Sequence, residues 1–348
     1  MAYKRIVVKI GTNLLTDKLC GLKVEQIQDI ARQISVLKSK GIEVLIVTSG
    51  AIGAGCTELG VKKSREVETR QALAAVGQST VMRAYHDAFS RYKAKVGQIL
   101  LTYEDFSNRT RYLHLKKAIE RLLDFGVIPI INENDPISVD EIGATFGDND
   151  KLSALVASKV NADLLIIVSD IDGLYDKNPK LSKDAKLIRR VESITKDIEN
   201  MAGKAGSAFS VGGMESKVKA AKIVMDFGCD MIICNGKKKD ILQKALEGKE
   251  GTLFVAANKL NGKQRWIKFA KEKGKIRVND RAKDILLDGK SSLLAVGVVG
   301  VEGEFDKGEV VLINDFAKGI SDHSSKELAN INGKKGKVVI KRGNIVIL

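Results

Sequence analysis

Hydrophobic residues in the first 255 positions follow two alternating patterns. Short apolar, β-branched runs occur at residues 5–10 (RIVVKI), 43–48 (EVLIVT), 96–101, 127–132, 163–169 and 231–234. Between them apolar residues recur at spacings of three and four, as at Val24, Ile27, Ile30, Ile34 and Leu37. That periodicity predicts helices over residues 23–40, 65–92, 110–125, 150–159 and 216–227. Strand runs apolar on both faces, with helices between them, predict an α/β fold: a mainly parallel sheet covered by helices on both faces. Residues 276–348 have a different pattern. Runs at 276–278, 295–301, 309–313, 336–340 and 345–348, separated by Gly, Asp and Lys, predict a small β-rich domain.

Composition sharpens that division. A chain of 348 residues exceeds the ~150 typical of one domain, so two are expected. With 44% hydrophobic residues, 29% charged and only three prolines, it is a core-forming chain and not a disordered one. No apolar run approaches the ~20 residues of a membrane helix, and MAYKRIVVKIGTN enters a strand without signal-peptide anatomy. A cytoplasmic protein is therefore expected. The net charge of +15 points to anionic partners. Residues 256–348 carry 19 Lys/Arg against 11 Asp/Glu, whereas the first 255 carry 39 against 32. The tail is thus more basic per residue, and a boundary is expected near 256–275. The cysteines Cys20, Cys56, Cys229 and Cys234 form no CxxC pair, which suits buried thiols in a reducing compartment.

Ligands of such sheets bind at the carboxyl ends of strands, and four loops there could carry chemistry. In Lys9-Ile10-Gly11-Thr12-Asn13, an ammonium and a close backbone approach suit a phosphate. Thr48 to Gly55 (TSGAIGAG) offers small residues and backbone N–H groups to an anion, but it matches neither a Walker A motif nor GxGxxG. Residues 131–151 (INENDPISVDEIGATFGDNDK) supply Asn132, Glu133, Asn134, Asp135, Asp148, Asn149 and Asp150, a set able to bind Mg²⁺ or a substrate amino group. Lastly, Ser169, Asp170 and the turn VGGMESK (211–217), with Lys217 in the first turn of a helix, favour phosphate. Each also has a plain reading as a solvated loop or tight turn. The histidines His86, His114 and His323 lie in none of these loops.

Taken together, VVKIGT (7–12), VTSGAIGAG (47–55), LAAVGQ (73–78), INEND (131–135), GDNDKLSALVA (147–157), DGLYDKNP (172–179) and VGGMESK (211–217) give the chain a clear resemblance. It resembles the amino acid kinase family, and within it the glutamate kinases. GKSSLLAVGV (289–298) and KGEVVLI (307–313) make the tail look like a PUA domain. The resemblance implies a catalytic domain over residues 1–255, a basic linker over 256–275 and a PUA-like domain over 276–348. It implies transfer of the γ-phosphoryl group of ATP, with Mg²⁺, to the side-chain carboxylate of L-glutamate, the first step of proline biosynthesis from glutamate. Implied catalytic residues are Lys9, Lys217 and Asp150; implied glutamate contacts are Ser49, Asp135, Asp148 and Asn149. ATP would lie on Lys9, Gly11, Gly50, Ala51, Ser169, Asp170 and Val211, Gly212, Gly213, Met214, Glu215, Ser216 and Lys217. No metal ligand is directly assigned. Feedback inhibition by proline and a homo-oligomer, dimer or tetramer, are further implications.

The chemistry agrees with that set. A carboxylate nucleophile of pKa about 4.3 is already ionised at neutral pH, so no base is needed. What is needed is relief of repulsion between anions and alignment of the reacting groups. Two alternatives stay open: another amino acid kinase, acting on N-acetylglutamate or UMP, and an RNA-binding protein with a degenerate kinase domain. Lys263, Arg265, Trp266, Lys268, Lys271, Lys273 and Lys275 could serve RNA by stacking and charge, or Trp266 could simply pack against a core.

Overall fold

The computed structural model describes residues 3–17, 21–102, 104–107, 109–138, 149–179, 181–204, 213–257, 262–270, 272–289, 291–331 and 336–348. The chain divides into two compact units, Met1–Lys259 and Leu260–Leu348.

In the first unit one sheet contains β1 (Arg5–Ile10), β2 (Glu43–Val47), β3 (Val96–Leu101), β4 (Ile128–Glu133), β5 (Leu164–Ser169), β6 (Arg190–Val191), β7 (Asp230–Asn235) and β8 (Thr252–Phe254). The strand order is β3-β4-β2-β1-β5-β7-β8-β6. From β3 to β7 every pairing is parallel; β8 runs antiparallel to β7 and parallel to β6. After β1 the chain builds outward to β2, and after β4 it returns to place β5 on the other side of β1. The carboxyl ends of β1 and β5 therefore flank a topological switch point, where ligands of open α/β sheets bind.

Side-chain alternation along the strands gives each face its own core. Val7, Val47, Ile131, Ile167 and Ile233 pack with Leu152 and Val156 of the helix Asn149–Lys159 and with Val218 and Val224 of the helix Met214–Asp226. Ile6, Val8, Ile10, Ile46, Ile130 and Ile166 pack on the other face with the helices Val24–Ser39 and Val67–Ser90. Both faces are covered, as the strand patterns predict. The same alternation places Lys9 on the face of Val7, toward the helices that begin at Asn149 and Met214.

One functional stretch differs from its expectation. Most of the loop expected over Thr48–Gly55 is helical: from Ala51 onward it belongs to a helix, Ala51–Leu59. Ala51, Gly53, Ala54, Gly55 and Cys56 are all buried, so the helix lacks the polar face that periodicity detects. It packs against Val67–Ser90 at the glycines. A Cβ on Gly55 would lie 1.9 Å from the Leu73 carbonyl oxygen, and one on Gly77 would lie 1.9 Å from that of Ala51.

The second unit encloses a core of its own, including Ile276, Val311, Ile313, Leu328 and Val339. Its strands are β9 (Lys275–Val278), β10 (Leu293–Leu294), β11 (Val298–Glu302), β12 (Val310–Ile313), β13 (Ala317–Ile320), β14 (Val338–Ile340) and β15 (Ile345–Ile347). They form a five-stranded sheet, β11-β9-β12-β13-β15, and a ribbon, β10-β14. Part of the segment expected as a linker is the helix Gly262–Phe269 of this unit. Its Ile267 is buried against Val310 and Val346, and Trp266 packs beside them.

Candidate active site

Lys9, Asp150 and Lys217 meet at the carboxyl edge of the sheet. Lys9 Nζ lies 2.5 Å from Asp150 Oδ1, and Lys217 Nζ donates to Asp150 Oδ2 at 3.0 Å. All three are nearly inaccessible: Lys9 is 4% exposed, Asp150 0% and Lys217 3%. Ser216 Oγ also donates to Asp150 Oδ2, at 2.9 Å. Asp150 lies in the first turn of Asn149–Lys159, where the helix dipole favours a negative charge, and Lys217 lies in the first turn of Met214–Asp226. Two ammonium groups thus share one carboxylate in a desolvated place at the carboxyl edge of the sheet. Cations gathered there suit an incoming anion.

Beside the trio the ends of β2 and β4 are joined through Asn149. Its Nδ2 approaches Thr48 O at 2.5 Å, Asn132 Oδ1 at 2.9 Å and Ser49 Oγ at 3.0 Å. Asn132 Nδ2 in turn donates to Gln78 Oε1 at 2.8 Å. Gly50, with φ of +97°, caps the helix Ala51–Leu59 in a conformation that disfavours side chains, so the backbone turns sharply from Ser49 into the helix. A cavity of about 540 Å³ opens here, and Ser49, Gly50, Ala51, Asp135 and Asn149 all line it. Burial and the neighbouring Glu133 push the Asp135 carboxyl up to about 6, against an opposing effect of Arg70.

On the other side of β1 the Gly11 N–H donates to Val168 O at 2.9 Å and the Gly236 N–H to Ser169 O at 2.8 Å, tying the ends of β1, β5 and β7 together. Burial pushes the Asp170 carboxyl up. The Asn13 amide at 3.2 Å, the Ser169 hydroxyl and the Lys237 charge outweigh that effect and hold it below the usual carboxylate range. Gly213 caps the helix Met214–Asp226, in which Met214 is buried, while Glu215 is turned outward and pairs with Lys219 at 2.7 Å. Asp148, Val211 and Gly212 lie outside the described residues.

Sequence reasoning named Asn132 as a candidate but missed its amide contact with Gln78, and it missed the cavity residues Arg70 and Gln71. The motif LAAVGQ contains Gln78 but gives no hint of its partner. His86 and His114 are exposed, and His323 meets Val338 O at 3.1 Å in the second unit.

The amino acid kinase family model matches residues 4–235, and the PUA domain model matches residues 274–342. The glutamate 5-kinase of Methanosarcina barkeri is 52% identical over 343 residues, covering 94% of this chain and 89% of that protein. The glutamate 5-kinase of Geobacter metallireducens is 43% identical over 366 residues, covering 99% and 98%. Among solved structures, carbamate kinase from Giardia lamblia bound to AMP-PNP aligns with a TM-score of 0.54 at 19% identity, over 73% of this chain and 99% of that one. UMP kinase from Bacillus anthracis aligns with a TM-score of 0.51 at 18% identity, over 74% and 98%. These two likenesses concern the fold alone. The identities to the full-length relatives go further, and the chain belongs to the amino acid kinase family, among its glutamate 5-kinases.

Proposed function

We propose that this protein phosphorylates L-glutamate with ATP, and that the buried Lys9–Asp150–Lys217 trio carries the reaction. It is a glutamate 5-kinase that forms L-glutamyl 5-phosphate, the first step of proline biosynthesis from glutamate. An oxygen of the side-chain carboxylate attacks the γ-phosphorus of ATP. The bond from that phosphorus to the β,γ-bridging oxygen breaks, and ADP leaves with the electron pair. The two ammonium groups offset the charge of the phosphoryl group in flight, and Asp150 holds them at fixed positions. Gly11, whose own N–H is held by Val168 O, lets the phosphates approach the backbone closely, the capped start of Ala51–Leu59 offers backbone donors to them, and Ser169, Asp170 and the 211–217 turn hold the nucleotide. Ser49, Asp135, Asp148 and Asn149 hold glutamate.

Among the described residues no group of three or more His, Cys, Asp or Glu side chains is disposed to hold a metal ion. An Mg²⁺ bound to the phosphates of ATP would neutralise part of their charge. Catalysis is assigned to residues 1–255. No helix among the described residues is long and apolar enough to cross a membrane; a cytoplasmic location is part of the same proposal. Proline inhibition and assembly as a dimer or tetramer belong to the same proposal.

The test is acceptor-dependent formation of an acyl phosphate, trapped by hydroxylamine, with glutamate, aspartate, N-acetylglutamate and UMP assayed side by side. Hydroxamate formed with glutamate alone is the expected result. ATP consumption that follows another acceptor would replace this reading.

A further inference from the structure

The cavity beside Asn149 is lined by both signs of charge: the carboxylates Glu133 and Asp135, and the cations Lys63, Arg65 and Arg70. Arg70 is distinct among the three cations. Lys63 and Arg65 belong to the link between two helices, whereas Arg70 is fixed in the opening turn of the helix Val67–Ser90. The next residue, Gln71, donates through Nε2 to Ser138 O at 3.1 Å, which ties this turn to the chain just past Asp135. Among the described residues the Arg70 guanidinium has no hydrogen bond or ion pair. It is nevertheless close enough to the Asp135 carboxyl to counter part of the rise that burial and Glu133 impose there.

An amino-dicarboxylic acid brings three charges to this site. The side-chain carboxylate must face the trio to be phosphorylated, which leaves the ammonium and the α-carboxylate, joined to one carbon atom. Asp135 and Arg70 offer the complementary carboxylate and guanidinium on one cavity. The guanidinium fork matches a carboxylate with two parallel donors, which a single ammonium cannot do. We propose that Arg70 binds the α-carboxylate of the substrate and is a specificity-determining residue of this kinase. The inference rests on the glutamate kinase reading above and adds the orientation of the substrate and a residue that selects it.

The test compares two acceptors that differ only at the α-position: L-glutamate and its α-amide, isoglutamine. The amide keeps the ammonium and the phosphorylated carboxylate but loses the charge that Arg70 reads. Hydroxamate formation is measured at saturating ATP for the unmodified protein, Arg70→Gln and Arg70→Lys, with thermal unfolding of each as a check on folding. The expected kcat/KM for glutamate falls about 10–100-fold in Arg70→Gln, the size of a lost charge-assisted hydrogen bond. The value for isoglutamine changes little, the KM for ATP is unmoved, and Arg70→Lys recovers part of the loss. An equal loss on both acceptors, or none on glutamate, overturns the assignment of Arg70. If the unmodified protein forms no hydroxamate with glutamate, the kinase reading itself fails, an outcome separate from the other two.

Discussion

In the proposed mechanism Asp150 is the pivotal residue, because the ammonium groups of Lys9 and Lys217 reach its two oxygens. Removing one partner of a buried ion pair costs roughly 3–5 kcal/mol. Asp150→Asn should therefore lose stability on that order in denaturant titrations. Saturating ATP should restore more stability to the variant than to the unmodified protein, since the phosphates would supply the missing negative charge. Equal stabilisation of both would remove the charge argument. Asp135 leads to a prediction about pH. Its carboxyl is raised from 3.8 to about 6 in the fold, so between those values the native state binds more protons than the unfolded chain. Stability then falls as pH rises through that window. Asp135→Asn should flatten the slope, stabilise the free protein at neutral pH and raise the KM for glutamate far more than that for ATP. In the unmodified protein, the KM for glutamate should rise as pH drops below about 6. Lys9, Asp135, Asn149 and Lys217 stand out as candidates in the sequence because they lie in motifs that follow strand runs or enter a helix, and the resemblance supplies their roles. Arg70 does not, since an arginine on a helical surface has no sequence feature that separates a cavity from solvent.

At the scale of elements, the ends of β1, β2, β4 and β5 gather the site, and the helix pair Ala51–Leu59 and Val67–Ser90 forms its outer wall. Parallel strands announced themselves by unbroken apolar runs, and most long helices by their three-four spacing. The helix Ala51–Leu59 left no such trace, because it is small-residued and buried, and the short helices of the second unit span too few turns to establish a period. Asp280–Leu287 could have been found from its cap, where Asn279 Oδ1 accepts from the Ala282 N–H at 2.8 Å. The glycine contact sets the spacing of the outer wall. A methyl group at Gly77 collides with the backbone oxygen of Ala51, which cannot swing aside as a flexible side chain can. Gly77→Ala should cost about 1–3 kcal/mol or more, the usual penalty of overpacking, and should raise the KM for ATP by displacing Gly50 and Ala51. A variant with the stability and KM of the unmodified protein would show that the helices can part without consequence.

For the molecule as a whole, the two units each enclose their own hydrophobic core. The tail has a higher basic charge per residue and a different strand pattern from the rest of the chain. Basic residues near Trp266 lie on a helix, which composition does not reveal, and Trp266 packs with the second unit's core, one of the two readings its sequence allows. Packing explains that tryptophan without a nucleic acid. A protein ending at Lys259 retains every residue assigned here to catalysis. It should fold and form glutamyl phosphate with kcat within a few-fold of the full chain. Loss of turnover in a folded truncation would give the second unit a part in catalysis.

The central claim is that a preorganised pair of buried ammonium groups stabilises the transferring phosphoryl group. Its most direct test is the turnover of Lys217→Ala at saturating ATP and L-glutamate, followed by hydroxamate trapping in protein shown to be folded. Loss of a preorganised charge-stabilising donor predicts a fall in kcat of about 10²–10³-fold or more. A folded variant with unchanged kcat would contradict the account and remove Lys217 from the chemistry.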